Sequence, residues 1–294
     1  MRRHPHHRSA GRFHLKAGQS EERAGGGAAP TPATVRSPPA ELRLVALPGM
    51  PLVRAGDDLP ALIIEAAGRC GEILRDGDVL VVAQKIVSKA EGRMVSLATV
   101  QPSSRAIDLA KETAKDPRFV EVVLRESLEV VRYARDVLIV AHKLGFVMAN
   151  AGVDQSNVAP ESADVVLLLP EDPDASCDKL RRDIKARVGV DVAVIINDSH
   201  GRPWRIGSVG VALGVSGLPA VMDLRGRADL FERTLRITEV GFADELASAA
   251  SLMMGQADEA RPVVLLRGVP YPRREGRAGE LARPRDRDLF RKQS

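Results

Sequence analysis

The chain has 294 residues, of which 44% are hydrophobic, so it is long enough to build one large core or two modest ones. Its apolar runs are too short to span a bilayer, and no apolar stretch typical of a secretory signal follows the N-terminus. Two cysteines, Cys70 and Cys177, are too few for a disulfide framework. These features predict a cytoplasmic protein without a membrane partner.

The net charge of +4 is unevenly distributed. Residues 1–40 hold seven Lys/Arg and two acids, and residues 273–294 hold eight Lys/Arg and four acids. Residues 41–272 therefore carry 28 Lys/Arg against 33 acids, a net charge of −5, which argues against a nucleic-acid-binding core. We predict a disordered basic tail over 1–40, a folded domain over 41–272 and a basic tail over 273–294.

Strand and helix signals alternate along the folded region. Strands are predicted over 42–47, 79–83, 137–141, 165–169, 190–197 and 262–267. Helices are predicted from Leu59, after an Asp57-Asp58 cap, and over 103–114, 116–129, 174–187 and 242–254. Residues 207–217 are punctuated by glycines and receive no element. Because no regular β-α-β period emerges, the pattern indicates a mixed α/β or α+β architecture rather than a Rossmann domain.

Two aspartates occupy positions typical of ligands for hard cations. Asp154 follows a glycine-led turn, and Asp198 comes directly after the buried run that ends at Asn197. Such positions are where α/β proteins place hard cations, bound by the carboxylates, and phosphates. The next residue, Ser199, offers a hydroxyl that could complete a Mg²⁺ or Mn²⁺ shell. A metal–nucleotide site is therefore the first hypothesis.

A nucleotide would have to be bound by several separate loops. The chain has no Gly-x-x-x-x-Gly-Lys-Ser/Thr run, and no strand–glycine–helix unit surrounds the glycines of 207–214, so P-loop and dinucleotide fingerprints are excluded. The candidate phosphate-binding segments are 47–51, 84–89 and 254–257. Within the second, Lys85 and Lys89 either face a phosphate or are ordinary surface lysines.

The segment after Asp198 has two interpretations. Arg202 and Arg205 flank Trp204 and suit an anionic substrate or a transferred phosphoryl group, or they belong to a salt-bridged loop packed around the tryptophan. His200 is interpreted as a structural or solvent-facing residue of a loop that follows the strand, because its spacing to His142 does not form a zinc set.

Four runs together resemble one family. They are Asp76-Gly-Asp-Val-Leu-Val-Val-Ala-Gln-Lys-Ile-Val-Ser-Lys-Ala-Glu-Gly-Arg93, Ala151-Gly-Val-Asp-Gln-Ser-Asn-Val158, Asn197-Asp-Ser-His-Gly-Arg-Pro-Trp-Arg205 and Thr238-Glu-Val-Gly-Phe-Ala-Asp-Glu245. In order and spacing, over about residues 44–270, they are similar to the coenzyme F-420:L-glutamate ligases. The resemblance implies the γ-glutamyl-ligase-like fold and a homodimer.

The resemblance also implies a reaction. In that family GTP phosphorylates a carboxylate of the deazaflavin precursor coenzyme F-420-0, and the amine of L-glutamate attacks the acyl phosphate. Further γ-linked glutamates can follow. Two Mg²⁺ or Mn²⁺ ions, with K⁺ as a further ion, would hold the repelling carboxylate and triphosphate together. No covalent nucleophile is needed, which agrees with the absence of a Cys/His or Ser/His set in the sequence.

Roles transfer to this chain position by position. Asp154, Asp198, Ser199 and Gln256 match metal ligands, and Arg202 and Arg205 join the two aspartates as expected catalytic residues. The residues that match nucleotide contacts are Met50, Pro51, Leu52, Val53, Gln84, Lys89, Asn157, Met254, Gly255, Gln256, Ala257, Asp258, Glu259, Ala260 and Arg261.

This chain departs from the family pattern in three respects. Ser199 stands where Thr is common, which preserves the hydroxyl, while Gly207-Ser208-Val209 replaces a frequent Gly-Gln-Thr and puts substrate contacts there in doubt. A C-terminal reductase domain fused in some relatives is absent, so a stand-alone ligase is expected. Two alternatives remain: an amide ligase acting on another acidic acceptor, and a GTP-binding sensor without catalysis.

Overall fold

The computed structural model describes residues 40–158 and 164–290, so the tail predicted over 1–40 falls outside the described residues apart from Ala40. The described helices are α1 (Leu59–Arg69), α2 (Gln84–Ala90), α3 (Ser104–Thr113), α4 (Pro117–Arg125), α5 (Pro173–Val188) and α6 (Phe242–Met254). The described strands are β1 (Arg43–Ala46), β2 (Val79–Ala83), β3 (Met94–Ser96), β4 (Ser127–Ala134), β5 (Val137–His142), β6 (Val147–Ala149), β7 (Val165–Leu167), β8 (Ala193–Arg202), β9 (Arg205–Ser216), β10 (Met222–Asp223), β11 (Glu239–Val240) and β12 (Val263–Arg267).

A five-stranded sheet in the order β1-β12-β2-β8-β9 forms the centre of the domain. Only β2 and β8 pair in parallel; the other neighbours are antiparallel. The continuous apolar run of β2 is buried on both faces. Leu80 and Val82 pack with α1 and α5 on one face, and Val79 and Val81 pack with α6 on the other. The sheet is therefore a middle layer between helices.

A second core lies around the three-stranded sheet β4-β5-β6. Helices α3 and α4 place Leu109, Phe119 and Val123 against Leu138 and Val140 of β5. Asp116 caps α4 by accepting a hydrogen bond from the backbone N–H of Arg118, and proline follows at the first helical position, as is common in helices. This layer leads into β6 and then into the turn that carries Asp154.

Residues 222–240 form an exposed two-stranded ribbon. Its base is the β10–β11 pair, and backbone hydrogen bonds continue outward through Gly226 with Leu235 and Asp229 with Arg233. The tip exposes Leu230 and Phe231, with 81% and 76% of their surface accessible.

Most predicted elements are confirmed, and the α+β fold class is confirmed with them. The bounds of the predicted 79–83 strand and 242–254 helix match those observed. The helix predicted over 116–129 is wrong at its end, because the chain enters β4 at Ser127. The glycine-punctuated 207–217 segment lies largely in strand β9, and the strand predicted to end at Asn197 continues as a partly exposed arm to Arg202.

Part of the basic C-terminal segment contacts the domain. Arg277 forms an ion pair with Asp178 of α5 at 2.9 Å, and Ala278, which is 1% exposed, packs in the α6-side core. None of the helices in the described ranges is long and apolar enough to cross a membrane.

A buried ion cluster joins β12 to the turn before β2. Asp78, which is 2% exposed, accepts hydrogen bonds from Arg267 Nε at 2.8 Å and Nη2 at 2.7 Å, and from the N–H of Arg75. Arg267 also contacts Glu72. We expect Asp78→Asn to lower the free energy of unfolding by about 2–3 kcal/mol, because it removes one partner of a largely buried pair. Urea denaturation measures this change. A loss below about 1 kcal/mol would show that Glu72 alone is sufficient to compensate the charge of Arg267.

Candidate active site

The parallel pairing of β2 and β8 brings two chain segments to one edge of the sheet. Ala83 pairs with Asn197, so the start of α2 lies beside Asp198. The buried amide of Asn197 contacts the sulfur of Met254, with 3.4 Å between Nδ2 and Sδ, at the end of α6. Residues 84–89, 198–199 and 254–257 are thereby gathered at one edge of the sheet.

Asp154 sits on a tightly constrained loop. Asn150, Ala151 and Gly152 all have left-handed φ angles of 53°, 54° and 65°. A Cβ at Gly152 would lie 2.8 Å from the Leu169 side chain, so only glycine fits without displacing it. Two backbone hydrogen bonds to Leu167, of 3.0 and 2.8 Å, then fix Asp154. Strained backbone of this kind concentrates at functional sites, where surrounding structure over-determines it.

Two lysines on successive turns of α2 hold this loop. Lys85 Nζ lies 2.7 Å from Asp154 Oδ2 and donates to Ser156 Oγ at 2.8 Å. Lys89 Nζ donates to the carbonyl of Asn157 at 2.7 Å. Burial lowers the pKa of Lys89, the charge of Lys85 lowers it further, and the charge of Asp154 opposes the shift. Both lysines therefore contact the loop that carries Asp154.

The loop after α6 closes the arrangement. Asn157 Nδ2 donates to the carbonyl of Ala257 at 3.0 Å, and Ser199 Oγ donates to Gln256 Oε1 at 2.6 Å. Gln256 Nε2 in turn donates to Ser251 Oγ, which orients its amide. Contacts thus run continuously from Asp154 through Asn157 and the 256–257 segment to the β8 strand that carries Asp198.

The environment of Asp198 includes a histidine. His200 Nε2 lies 3.3 Å from Asp198 Oδ2 without the alignment of a hydrogen bond. His200 belongs to β8, so the prediction that it lies in a loop is wrong; residues 198 and 200 share one face because strand side chains alternate. Burial raises the pKa of Asp244, and the charge of His200 opposes this shift.

The four predicted metal ligands are chemically suited to a hard divalent ion. Asp154 and Asp198 offer carboxylate oxygens, Ser199 a hydroxyl and Gln256 a carbonyl oxygen, the donor types that Mg²⁺ and Mn²⁺ prefer. The Ser199 and Gln256 oxygens already meet at 2.6 Å. Among the described residues, no group of three His, Cys, Asp or Glu side chains converges as a metal cluster, so a site here would rely on the hydroxyl and the amide.

The predicted nucleotide segment 50–53 lies near the other end of α2. The N–H of Gly56, just beyond it, donates to the carbonyl of Ala90 at 2.9 Å, and Arg69 of α1 donates to the carbonyl of Gly49 at 2.9 Å. Val53 is buried, whereas Leu52 is 80% exposed. In the 254–261 segment, Glu259 accepts the N–H of Ala257 at 2.9 Å, which holds that loop in a turn.

The two predicted catalytic arginines lie at the tip of the β8–β9 hairpin. Arg202 pairs with Arg205 across a turn in which Trp204 has a φ of 65°. Trp204 is 88% exposed and contacts Phe290, so the alternative of a salt-bridged loop packed around this tryptophan is not supported. Arg202 Nη1 is buried without a hydrogen-bond partner in the described structure, whereas Arg205 is exposed.

Sequence reasoning missed two residues that contribute to the site geometry. Lys85 was considered only as a possible phosphate-facing residue, and its contacts with Asp154 and Ser156 were not predicted. Asn197 is 4% exposed, and its amide joins β8 to α6. The available signal was a polar side chain at the end of an otherwise apolar run.

Comparison with known proteins identifies the family of this chain. Residues 49–268 match the sequence model of the F420-0:Gamma-glutamyl ligase family. A coenzyme F420:L-glutamate ligase from Methanothermobacter thermautotrophicus is 49% identical over 252 residues, covering 85% of this chain and 99% of the relative. The ligase of the same description from Methanopyrus kandleri is 50% identical over 254 residues, covering 85% and 98%, and that from Archaeoglobus fulgidus is 43% identical over 244 residues, covering 83% and 94%. The chain belongs to the F420-0:Gamma-glutamyl ligase family.

Proposed function

We propose that this protein is a GTP-dependent ligase that joins L-glutamate to coenzyme F-420-0 through an acyl phosphate, with further γ-linked glutamates possible. Family membership supports the glutamate ligation. The observation that carries the proposal is the continuous set of contacts linking Asp154, the α2 lysines, Asn157, the 256–257 segment and the Asp198–Ser199 strand. This set of contacts combines oxygen ligands for divalent ions with cations for phosphate groups.

The residues of this set have separate roles in the proposal. Lys89, Asn157 and the 254–261 loop bind and orient the nucleotide, with segment 50–53 as a further contact. Arg202 and Arg205 face the negative charge of the transferred phosphoryl group or of the acceptor. Holding the acceptor carboxylate in line with the γ-phosphate converts an encounter of two anions into an oriented reaction.

Asp154, Asp198, Ser199 and Gln256 would hold Mg²⁺ or Mn²⁺. When bound, two such ions screen the triphosphate and the carboxylate from each other and polarise the phosphoryl oxygens. K⁺ is proposed as a further ion. The working form is proposed to be a cytoplasmic homodimer, without nucleic acid or membrane as a partner.

Product mass tests the proposal directly. The purified protein is incubated with GTP, Mn²⁺, L-glutamate and glutamate-free precursor, and the molecular mass of the deazaflavin product is measured by mass spectrometry. We expect mass increments of whole glutamate residues that disappear when GTP is omitted. GDP release with another acidic acceptor alone would favour a diverged amide ligase, and GTP binding without turnover under any condition would favour a sensor.

The bond from Asn157 to Ala257 predicts a role in nucleotide affinity. Asn157 has a left-handed φ of 55°, which glycine adopts freely, so Asn157→Gly removes the amide while keeping the backbone. We expect GTP to bind about tenfold more weakly, since the 254–261 loop loses its bond to the Asp154 loop. Isothermal titration calorimetry measures the dissociation constant of GTP. Asn157→Ala, which adds backbone strain, should weaken binding further, and unchanged affinity in both variants would contradict the role.

A further inference from the structure

The ion pair between Lys85 and Asp154 occupies an oxygen that a divalent ion would need. Lys85 Nζ lies 2.7 Å from Oδ2 of Asp154, while the other oxygen, Oδ1, accepts the N–H and hydroxyl of Ser156 at 2.8 Å each. Both carboxylate oxygens are thus engaged by groups of this chain. The two side chains are 29% and 28% exposed, so the pair is accessible to solvent.

We propose that Lys85 is a displaceable counter-ion of Asp154, which holds the carboxylate in place before metal binding and is expelled when a divalent ion takes the Oδ2 position. The inference rests on the divalent-ion site of the proposed function. Two like-charged cations on one carboxylate oxygen would repel strongly at this separation. An ammonium group has no lone pair to offer the metal, so it cannot become a ligand and would yield the Oδ2 position to the ion.

The contacts of Lys85 and Lys89 differ in a way that supports this exchange. Within the described part of the chain, Lys89 donates only to a backbone carbonyl, that of Asn157, so metal binding at Asp154 would not have to break this bond. Lys85 binds the carboxylate itself together with the carbonyl and hydroxyl of Ser156. Its flexible stem allows the ammonium to move away while the loop remains held by Lys89. The displaced charge then becomes available to an anionic ligand, so metal occupancy would strengthen binding of that ligand.

The test measures Mn²⁺ binding in the absence of nucleotide. The electron paramagnetic resonance signal of free Mn²⁺ reports how much of the ion remains unbound. Lys85→Met keeps the apolar stem and removes the charge. We expect the variant to bind Mn²⁺ about fivefold more tightly than wild type, since displacing a partly exposed ion pair no longer opposes binding. The melting temperature of the metal-free variant should fall, whereas that of the Mn²⁺-saturated variant should equal the wild-type value.

Lys89→Met is the matched control. It removes a positive charge from the same helix and a contact with the same loop, but no direct contact with the Asp154 carboxylate. The Mn²⁺ affinity of this variant should therefore stay within about twofold of wild type. Its melting temperature should fall equally with and without Mn²⁺. Unchanged or weaker Mn²⁺ binding by Lys85→Met, or equal tightening by both variants, would overturn the proposal.

A measurement on the wild-type chain covers the case in which Lys85→Met does not fold. Reductive methylation of each lysine is followed by peptide mass with and without Mg²⁺. Release from Asp154 should increase the methylation rate of Lys85 at least about twofold relative to that of Lys89, and an unchanged ratio would contradict displacement. Wild-type protein that binds no divalent ion would overturn the metal site as well, whereas normal binding with unaltered Lys85 would overturn this inference alone.

Discussion

Asp198→Asn should abolish most ligase turnover while leaving the fold intact. Asparagine has nearly the shape of aspartate but lacks the charge that the proposed divalent ion would require from this position. Asp198 stands where the buried part of β8 ends, and its contact with His200 is not an aligned hydrogen bond, so little stability depends on its charge. We expect turnover to fall about 100-fold or more, the scale for losing charge stabilisation at a reacting phosphoryl group.

The measurement combines GDP release with product mass at saturating Mn²⁺, alongside thermal unfolding. The control is Asp108→Asn on α3, where an exposed carboxylate pairs with Lys111 at 3.2 Å. That variant should retain wild-type turnover. If Asp198→Asn also turned over at close to the wild-type rate, the metal would have to be held elsewhere.

The buried elements of the fold were predictable because hydrophobic patterning specifies them. Strand β2 is a continuous apolar run flanked by an Asp-Gly-Asp turn, and helix α6 presents apolar residues at helical spacing, so their bounds follow from local sequence. The outer part of the β8–β9 hairpin was not predictable in this way. From Asp198 to Arg205 the side chains are mostly polar, and cross-strand pairing rather than burial maintains the strand.

The ribbon over 222–240 escaped prediction for a related reason. Its paired segments are short and largely exposed, and the turn between them carries no Asn-Gly or Asp-Gly dipeptide that would predict a hairpin. Helix α2 was not predicted as a helix, and residues 84–89 were named only as a candidate phosphate-binding segment. Seven residues after a strand are too few to establish a helical period. Local patterns specify elements only where one face is buried.

The candidate site was predictable only in part. Local chemistry pointed to Asp154 and Asp198 separately, and family resemblance supplied Gln256 and Asn157. The contact of Lys85 with the Asp154 loop depends on the topology, since 71 residues separate Lys85 from Ser156. Only the parallel pairing of β2 with β8 and the left-handed turn at 150–152 bring these groups together.

Gly214→Ala should destabilise the protein strongly. Gly214 lies in β9 where the first residue of α5 approaches the sheet, and a Cβ there would stand 2.3 Å from the carbonyl oxygen of Pro173 and 2.5 Å from its carbonyl carbon. These are backbone atoms, so no side-chain rotation relieves the overlap. Helix α5 is also fixed to β9 by Asp174, which accepts the N–H of Val215 at 2.8 Å. Relief therefore requires the whole helix start to move.

We expect Gly214→Ala to lower the free energy of unfolding by about 3 kcal/mol or more, toward the upper range for overpacking a core. For a domain of this size that corresponds to a melting temperature lower by roughly 6–12 °C, measurable by calorimetry. Gly201→Ala in β8 is the matched control, because no neighbouring atom lies within 4 Å of the added Cβ, and its melting temperature should be nearly unchanged. Equal melting temperatures for both variants would mean that α5 shifts from β9 at little cost, and that the glycine at 214 is not needed for close packing.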